Sequence, residues 1–183
     1  MMNLNKLGSR TVYIRLADED DASFIYQLRT DEFFNKHLST TTGTIEDQRK
    51  WLTDYKIREK NSCEYYFIIV RKDTEQSIGT VRLYDFRERD KSFCWGSWIL
   101  NENKTRSSAL ESALLVYSLA FDQLGFMQSH FDVRRGNEKV IEFHKKLGAT
   151  EVSSNDVDLF FVYKKDTFNA TKDSYKKYLV QND

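Results

Sequence analysis

The chain has no proline, two cysteines and seven glycines in 183 residues, and its charges cancel at 28 basic against 28 acidic side chains. Each scarcity excludes something. Cys63 and Cys94 have no neighbouring Cys or His at ligand spacing, which argues against a disulfide framework and against a structural zinc; no metal site is expected. Balanced charge leaves no net field to recruit nucleic acid or an anionic membrane, and no block of like charge forms a binding arm. The opening MMNLNKLGSR lacks the apolar run of a signal peptide, and no later run is long enough to cross a bilayer. The expectation is a soluble protein of the reducing cytoplasm with neither nucleic acid nor membrane as partner. A homodimer is compatible with the sequence, which is otherwise silent on oligomeric state. With proline absent, the glycines become the punctuation, and Gly79, Gly96, Gly125, Gly136 and Gly148 mark the plan.

What is present reads as one domain over residues 1–183, with a patterned core over about 11–164 and a tail, 165–183, whose packing the pattern does not define. TVYIRL at Thr11 to Leu16 alternates as a strand, and DEDDASFIYQLR crowds acidic residues into the first turn of a helix. After an irregular TDEFFNKHLSTTTG, a second helix is predicted from Ile45, Trp51, Leu52, Tyr55 and Ile57, with Thr44 as its cap and Asp47 three residues on. YYFIIVRK, SIGTVRLYDF and SFCWGSWIL are β-dense runs separated by short polar turns, an antiparallel meander. A long helix follows, with Leu110, Leu114, Tyr117, Phe121 and Leu124 on one stripe and Gly125 at its end. SHFDVR is a short strand, Asn137 to Leu147 a helix, and TEVSS and LFFVYKK two more strands. The fold class is therefore α/β (α+β), with a mostly antiparallel sheet of six to seven strands flanked by about four helices.

The helix NEKVIEFHKKLGA places Val140, His144 and Leu147 on one stripe, so an imidazole is aimed at the apolar side; Gly148 supplies a left-handed stop. The His144 ring is either a satisfied, partly buried histidine or a working acid. Asn137 is either a plain cap or a ligand for something bound at the helix start. The junction NENKTRSSALES joins a strand to a helix, where free backbone N–H groups and the positive dipole end point outward together. Lys104 and Arg106 add cations there, and Ser107 and Ser108 add hydroxyls that serve either as caps or as phosphate donors. Trp95 and Trp98 flank Gly96 either as core aromatics or as ligand contacts, and glycine inside a strand run is a bulge cue.

Element order and these motifs together resemble the GCN5-related N-acetyltransferase (GNAT) family, in its branch of ribosomal-protein and amino-sugar acetyltransferases, over Val12 to about Tyr163. The resemblance implies a sheet splayed between the Trp95-containing strand and the His130-containing strand, with acetyl-coenzyme A in the gap as co-substrate. The family's Gln/Arg-x-x-Gly-x-Gly/Ala turn, whose amides cradle the cofactor pyrophosphate, corresponds here to Lys104, Thr105, Arg106, Ser107, Ser108 and Ala109, followed by an acidic Glu111. Lysine replaces Gln/Arg and Ser107 replaces the first glycine, so a looser cradle is expected. Asn137 falls where the family has an asparagine that binds pantetheine or pyrophosphate. His144 stands where a tyrosine acid is common, and imidazolium would protonate the departing thiolate near neutral pH. The resemblance places a bulge at Gly96 and Ser97, and backbone pairing of Ile99 and Leu100 with the pantetheine amides. The family's usual glutamate base is replaced by Cys94, a poor proton acceptor unless its pKa is depressed; Asp85, His130 and Asp132 are the alternatives. The amine acceptor is expected from the side of the first two helices and the Arg82, Tyr84 surface. FHKKLGA and VRLYDF are more similar to amino-sugar members, implying an amino sugar, nucleotide-linked, as acceptor. A protein N-terminal amine, a polyamine, or a non-catalytic acyl-coenzyme A module are the other readings.

Overall fold

The computed structural model describes residue 4, residues 6–36 and residues 40–179. Its strands are β1 (Leu7–Gly8), β2 (Val12–Leu16), β3 (Tyr65–Arg71), β4 (Ser77–Arg87), β5 (Ser92–Leu100), β6 (Gln128–Arg134), β7 (Thr150–Ser154) and β8 (Asp158–Lys164). They form one sheet in the order β1-β2-β3-β4-β5-β6-β8-β7. All neighbours are antiparallel except β5 and β6, which are parallel. Parallel strands need a crossover, and the helix α4 (Ser108–Ser118), prolonged by a π-helical turn over Leu119–Gln123, supplies it. The eighth strand is the two-residue β1, too short to leave a period in the sequence.

Helices cover both faces, which explains why β3 is apolar without interruption. Tyr65, Phe67 and Ile69 join the core under α4, while Tyr66, Ile68 and Val70 pack with α1 (Ala22–Thr30) and α3 (Ile45–Lys60). A short α2 (Glu32–Asn35) forms inside the stretch that reads as irregular, with the Asp31 carboxylate accepting from the Phe33 amide. In α3 the Thr44 and Asp47 capping box is present, but only Leu52 and Tyr55 of the predicted stripe are buried. Ile45 and Ile57 are exposed instead, because one helix face meets the sheet while their faces meet solvent. The C-terminal segment is part of the core: α6 (Lys165–Lys172) runs on from β8 and buries Phe168 completely. From the last helix, α7 (Lys176–Leu179), the Tyr178 carbonyl accepts a hydrogen bond from the Arg10 amide at 2.9 Å. Among the described residues no helix is long and apolar enough to cross a membrane.

One buried carboxylate ties the strand-to-helix junction to the sheet edge. Glu111, in the first turn of α4, is fully buried and accepts from Ser107 Oγ (2.6 Å), Ser9 Oγ (2.6 Å), Thr11 N (2.7 Å) and Thr11 Oγ1 (2.8 Å). Burial alone would raise its pKa, but the hydrogen bonds from Ser107, Ser9 and Thr11 together outweigh it and hold the carboxyl below its ordinary value. Charge-assisted bonds of this kind are individually stronger than neutral ones. Its stabilising effect is therefore present above the unfolded-chain pKa and is lost as pH falls through the folded one. Glu111→Gln places an NH2 donor among donors and is expected to cost about 3 kcal/mol, read as a lowered denaturant midpoint. The same variant should also lack part of the wild-type loss of stability in acid.

Candidate active site

The parting of β5 and β6 creates the site. Only Ser92/Gln128 and Phe93/Ser129 are paired; from Cys94 onward the β6-facing edge of β5 has no strand beside it. Two bulges bend the neighbouring pair. Thr80 pairs with Ile99 and Arg82 with Gly96, so β5 carries one extra residue there, and Ser97 adopts a left-handed φ of 47°. The Ser97 carbonyl is held by Thr80 Oγ1 at 2.8 Å. Gly96 has no left-handed φ, and a Cβ there would stand 3.0 Å from the Tyr84 hydroxyl, a tight contact that the tyrosine would have to relieve. The second bulge is at Asp85, φ 49°, on β4.

A cleft of about 760 Å³ occupies the gap. Its walls include Trp95 to Leu100 from β5, Phe131 to Arg134 from β6, and Asn137, Val140, Phe143 and His144 at the start and along the inner face of α5 (Glu138–Leu147). Lys104 and Ala109 close one end, while Arg82, Tyr84 and the two phenylalanines of α2 close the other. Core aromatics and cleft aromatics prove to be the same residues. Trp95 donates its indole N–H to the Tyr117 hydroxyl at 3.2 Å, and Trp98 donates to Ser112 Oγ at 3.0 Å, so both present satisfied apolar faces to the gap.

The turn before α4 differs in one respect from its sequence reading. Ser107 has φ −106°, which any residue adopts, so glycine is not required there. The hydroxyls, however, are used internally: Ser107 Oγ donates to Glu111, and Ser108 Oγ, fully buried, accepts from the Thr105 amide at 2.8 Å. In this arrangement both hydroxyls have partners inside the fold, and neither caps α4 by its side chain. Thr105 Oγ1 pairs with Thr11 Oγ1 at 2.8 Å and with Ser108 Oγ at 2.7 Å, fastening the turn to the sheet. The amides of Arg106, Ser107 and Ala109 take no part in these bonds. Lys104 and Arg106 are exposed, and Lys104 reaches the cleft wall.

Asn137 precedes α5 without capping it by its side chain; the backbone carbonyl does that work for Val140 and Ile141. Its carboxamide lies at the cleft. His144 is 4% exposed, ringed by Trp95, Trp98, Phe131, Phe143 and Phe161, and its Nδ1 is buried without a hydrogen-bond partner. Burial pushes its pKa down to about 3. The imidazolium acid expected from the sequence is thus replaced by a neutral imidazole, because among the described residues no carboxylate touches the ring to offset desolvation.

Among the candidate bases the geometry separates four residues. Cys94 is buried, and burial pushes its thiol up to about 11, despite a lowering hydrogen bond from Tyr84. It is not a base near neutral pH. His130 is engaged at both nitrogens, by Ser92 Oγ at 2.5 Å and Asp85 Oδ2 at 2.9 Å, and Asp85 also pairs with Arg87 at 2.6 Å. Asp132 alone of the four stands on the cleft wall with a carboxylate in no ion pair among the described residues; partial burial, then the nearby Asp158, raises its pKa. No group of three or more potential metal ligands occurs among the described residues. Phe33 and Phe34 are wall residues that the sequence reading missed, since four helical residues inside a polar stretch leave no periodic signal.

Residues 11–150 match the acetyltransferase (GNAT) domain family. A probable N-acetyltransferase, YjcK of Bacillus subtilis (strain 168), is 27% identical over 152 residues, 76% of this chain and 84% of that protein. The apo structure of FdhC, described as a nucleotide-linked sugar GNAT, superposes with a TM-score of 0.90 at 50% identity, covering 96% of this chain and 98% of that one. Spermidine N-acetyltransferase of Vibrio cholerae, solved with coenzyme A and spermine, shares the fold at 14% identity and a TM-score of 0.76, over 87% and 98% of the two chains. With a through-sheet cleft at the parted strands and a family match across most of its length, the chain belongs to the GNAT acetyltransferases and is an acetyltransferase enzyme.

Proposed function

We propose that the protein transfers an acetyl group from acetyl-coenzyme A to the primary amine of a nucleotide-linked amino sugar. The observation that carries this reading is the cleft that traverses the sheet, with a phosphate-suited turn at one end and the Arg82, Tyr84 surface at the other. Half-identity to a nucleotide-linked sugar GNAT supports the acceptor class. The open edge of β5 at Ile99 and Leu100 suits the amides of a pantetheine arm, and Asn137 offers both a donor and an acceptor beside it. Lys104, Arg106 and the amides of Arg106, Ser107 and Ala109, with the positive end of α4 behind them, suit the pyrophosphate. Acetyl-coenzyme A supplies the activated thioester.

Chemistry then needs a neutral amine and a place for its proton. Asp132 takes one proton from the acceptor ammonium, and the neutral amine so formed attacks the thioester; partial burial, then the nearby Asp158, raises its carboxyl pKa and makes it a stronger base than an ordinary carboxylate. Backbone N–H groups of the bulged β5 edge polarise the carbonyl as the C–N bond forms and the C–S bond breaks. His144, being neutral, orients the sulfur by donating its ring N–H, and the departing thiolate takes the second proton, which the nitrogen sheds as the amide forms. Aromatic walls from Trp95, Trp98 and Phe143 keep water from the thioester.

The acceptor class is tested by coenzyme A release with a panel of aminodeoxy nucleotide sugars, N-terminal peptides and spermidine. The nucleotide sugar should show the highest kcat/KM, and a preference of about tenfold for peptide or spermidine would reassign the acceptor. Asp132→Asn should lower kcat by about 100-fold or more with the KM for acetyl-coenzyme A nearly unchanged; full activity in that variant would remove Asp132 from the mechanism.

His144 makes a separate prediction about stability. Its folded pKa of about 3 lies below the ordinary imidazole value of 6.5. Between those values the unfolded chain binds a proton that the folded chain refuses, so stability falls as pH drops below about 6.5. The loss between pH 7 and pH 5 should be about 2 kcal/mol, seen by urea denaturation, and His144→Phe should lack it. An equal slope in both proteins would show that the ring is not buried neutral.

A further inference from the structure

On the α1 and α3 side of the sheet lies a second, half-open cavity of about 370 Å³. Arg29 and Tyr26 of α1, Trp51 of α3, Tyr66 of β3 and Arg82 of β4 form its walls, completed by the threonine-rich stretch before α3. Arg82 also lines the larger cleft, so one guanidinium stands at the junction of the two spaces. The Arg82 guanidinium rests over the Tyr84 ring at 4.2 Å, and its Nε is buried with no hydrogen-bond partner. A buried donor without an acceptor is costly unless something else supplies one. Arg29 Nε donates to Thr41 Oγ1 at 2.8 Å, which fixes that guanidinium at the cavity wall.

The charge of the cavity has a definite sign. Asp47 is its one carboxylate among the described residues, and the Thr44 amide and hydroxyl occupy it at 2.7 and 2.9 Å. The one carboxylate described on its wall is thus already used in a helix cap, and the side chains of Arg29 and Arg82 line the same space. Forked guanidiniums match phosphate oxygens, hydroxyls of threonine add neutral donors, and the Trp51 and Tyr26 rings offer flat surface to a base. A polycationic acceptor would meet repulsion here, whereas a diphosphate would be held.

We infer that this cavity binds the nucleoside diphosphate of the acceptor, with Arg29 and Arg82 as phosphate ligands and the sugar passing Arg82 into the cleft. The inference rests on the proposed function and deepens it: donor and acceptor phosphates occupy separate cavities on opposite sides of the parted strands. A ligand anchored at its diphosphate presents its amine in a limited set of positions, which converts remote binding into orientation at the reacting centre.

UDP and inorganic pyrophosphate serve as probes, titrated calorimetrically into the protein alone and into protein saturated with coenzyme A. UDP should bind equally in both. Arg29→Gln and Arg82→Gln should each weaken UDP binding by about tenfold or more while leaving coenzyme A affinity nearly unchanged. Trp51→Phe should remove the UDP-induced fluorescence change and spare the one induced by coenzyme A, which reports Trp95 and Trp98. Should Arg82→Gln fail to fold, Arg82→Lys, which retains charge but loses the fork, carries the same comparison. Displacement of UDP by coenzyme A, equal UDP binding in the arginine variants, or no binding of UDP and pyrophosphate by a protein that acetylates amines would each overturn the inference. Failure of coenzyme A itself to bind would instead remove the proposed function, and arginine-dependent UDP binding would then stand as a nucleotide site.

Discussion

Everything in this molecule turns on two strands that begin side by side and then separate. β5 and β6 share two residue pairs before β5 bends away at the Ser97 bulge. A sheet interrupted in this way loses ladder hydrogen bonds and exposes backbone groups, an arrangement that persists only if packing on both sides holds the strands apart. Here α4 and the aromatic cluster of Trp95, Trp98 and Phe131 do so on one face. On the other, α1 and α3 cover β3 while leaving β4 and β6 accessible at Arg82, Tyr84 and Asp132. The gap is built into the topology, because the parallel crossover places a helix start at its end.

Electrostatics divides the site along the same line. The α4 end carries cations and amides, the middle is apolar and contains a neutral imidazole, and the α1 side carries guanidiniums with a carboxylate of raised pKa. Desolvation dominates in the middle, where His144 has five aromatic neighbours and no counter-charge among the described residues; partial burial, then Asp158, raises the pKa of Asp132. Two titratable groups beside one gap are thus both pushed toward their neutral forms by burial.

Long periodic elements were legible in the sequence. The β3 to β5 meander, α4, and α5 with its Gly148 stop, φ 106°, follow from apolar spacing and glycine placement. The capping box at Thr44 and Asp47 was equally plain, because its partners are three residues apart. What was not legible depends on distance in the chain or on a local environment. Glu111 gives no hint of Ser9 and Thr11, and the serines beside it looked like phosphate donors because their acceptors lie within the fold. His144 was placed on the correct face, yet its charge depends on rings from three other elements, β5, β6 and β8. The anion-suited cavity joins Arg29 to Arg82 across two helices and a sheet, a juxtaposition that no spacing rule reaches.

The Glu111 bridge has a temporal side. Its partners Thr11 and Ser9, just before β2, lie 100 and 102 residues earlier in the chain, so the contact joins segments far apart in sequence. A contact of such sequence separation closes a long loop, which slows its formation relative to local structure. On the ribosome, residues 9–12 wait for more than half of the polypeptide to emerge before their carboxylate partner exists. The α4 end of the cleft is therefore expected to form late in folding, and a chain that stops short of Glu111 would lack the carboxylate that Ser9 and Thr11 bind.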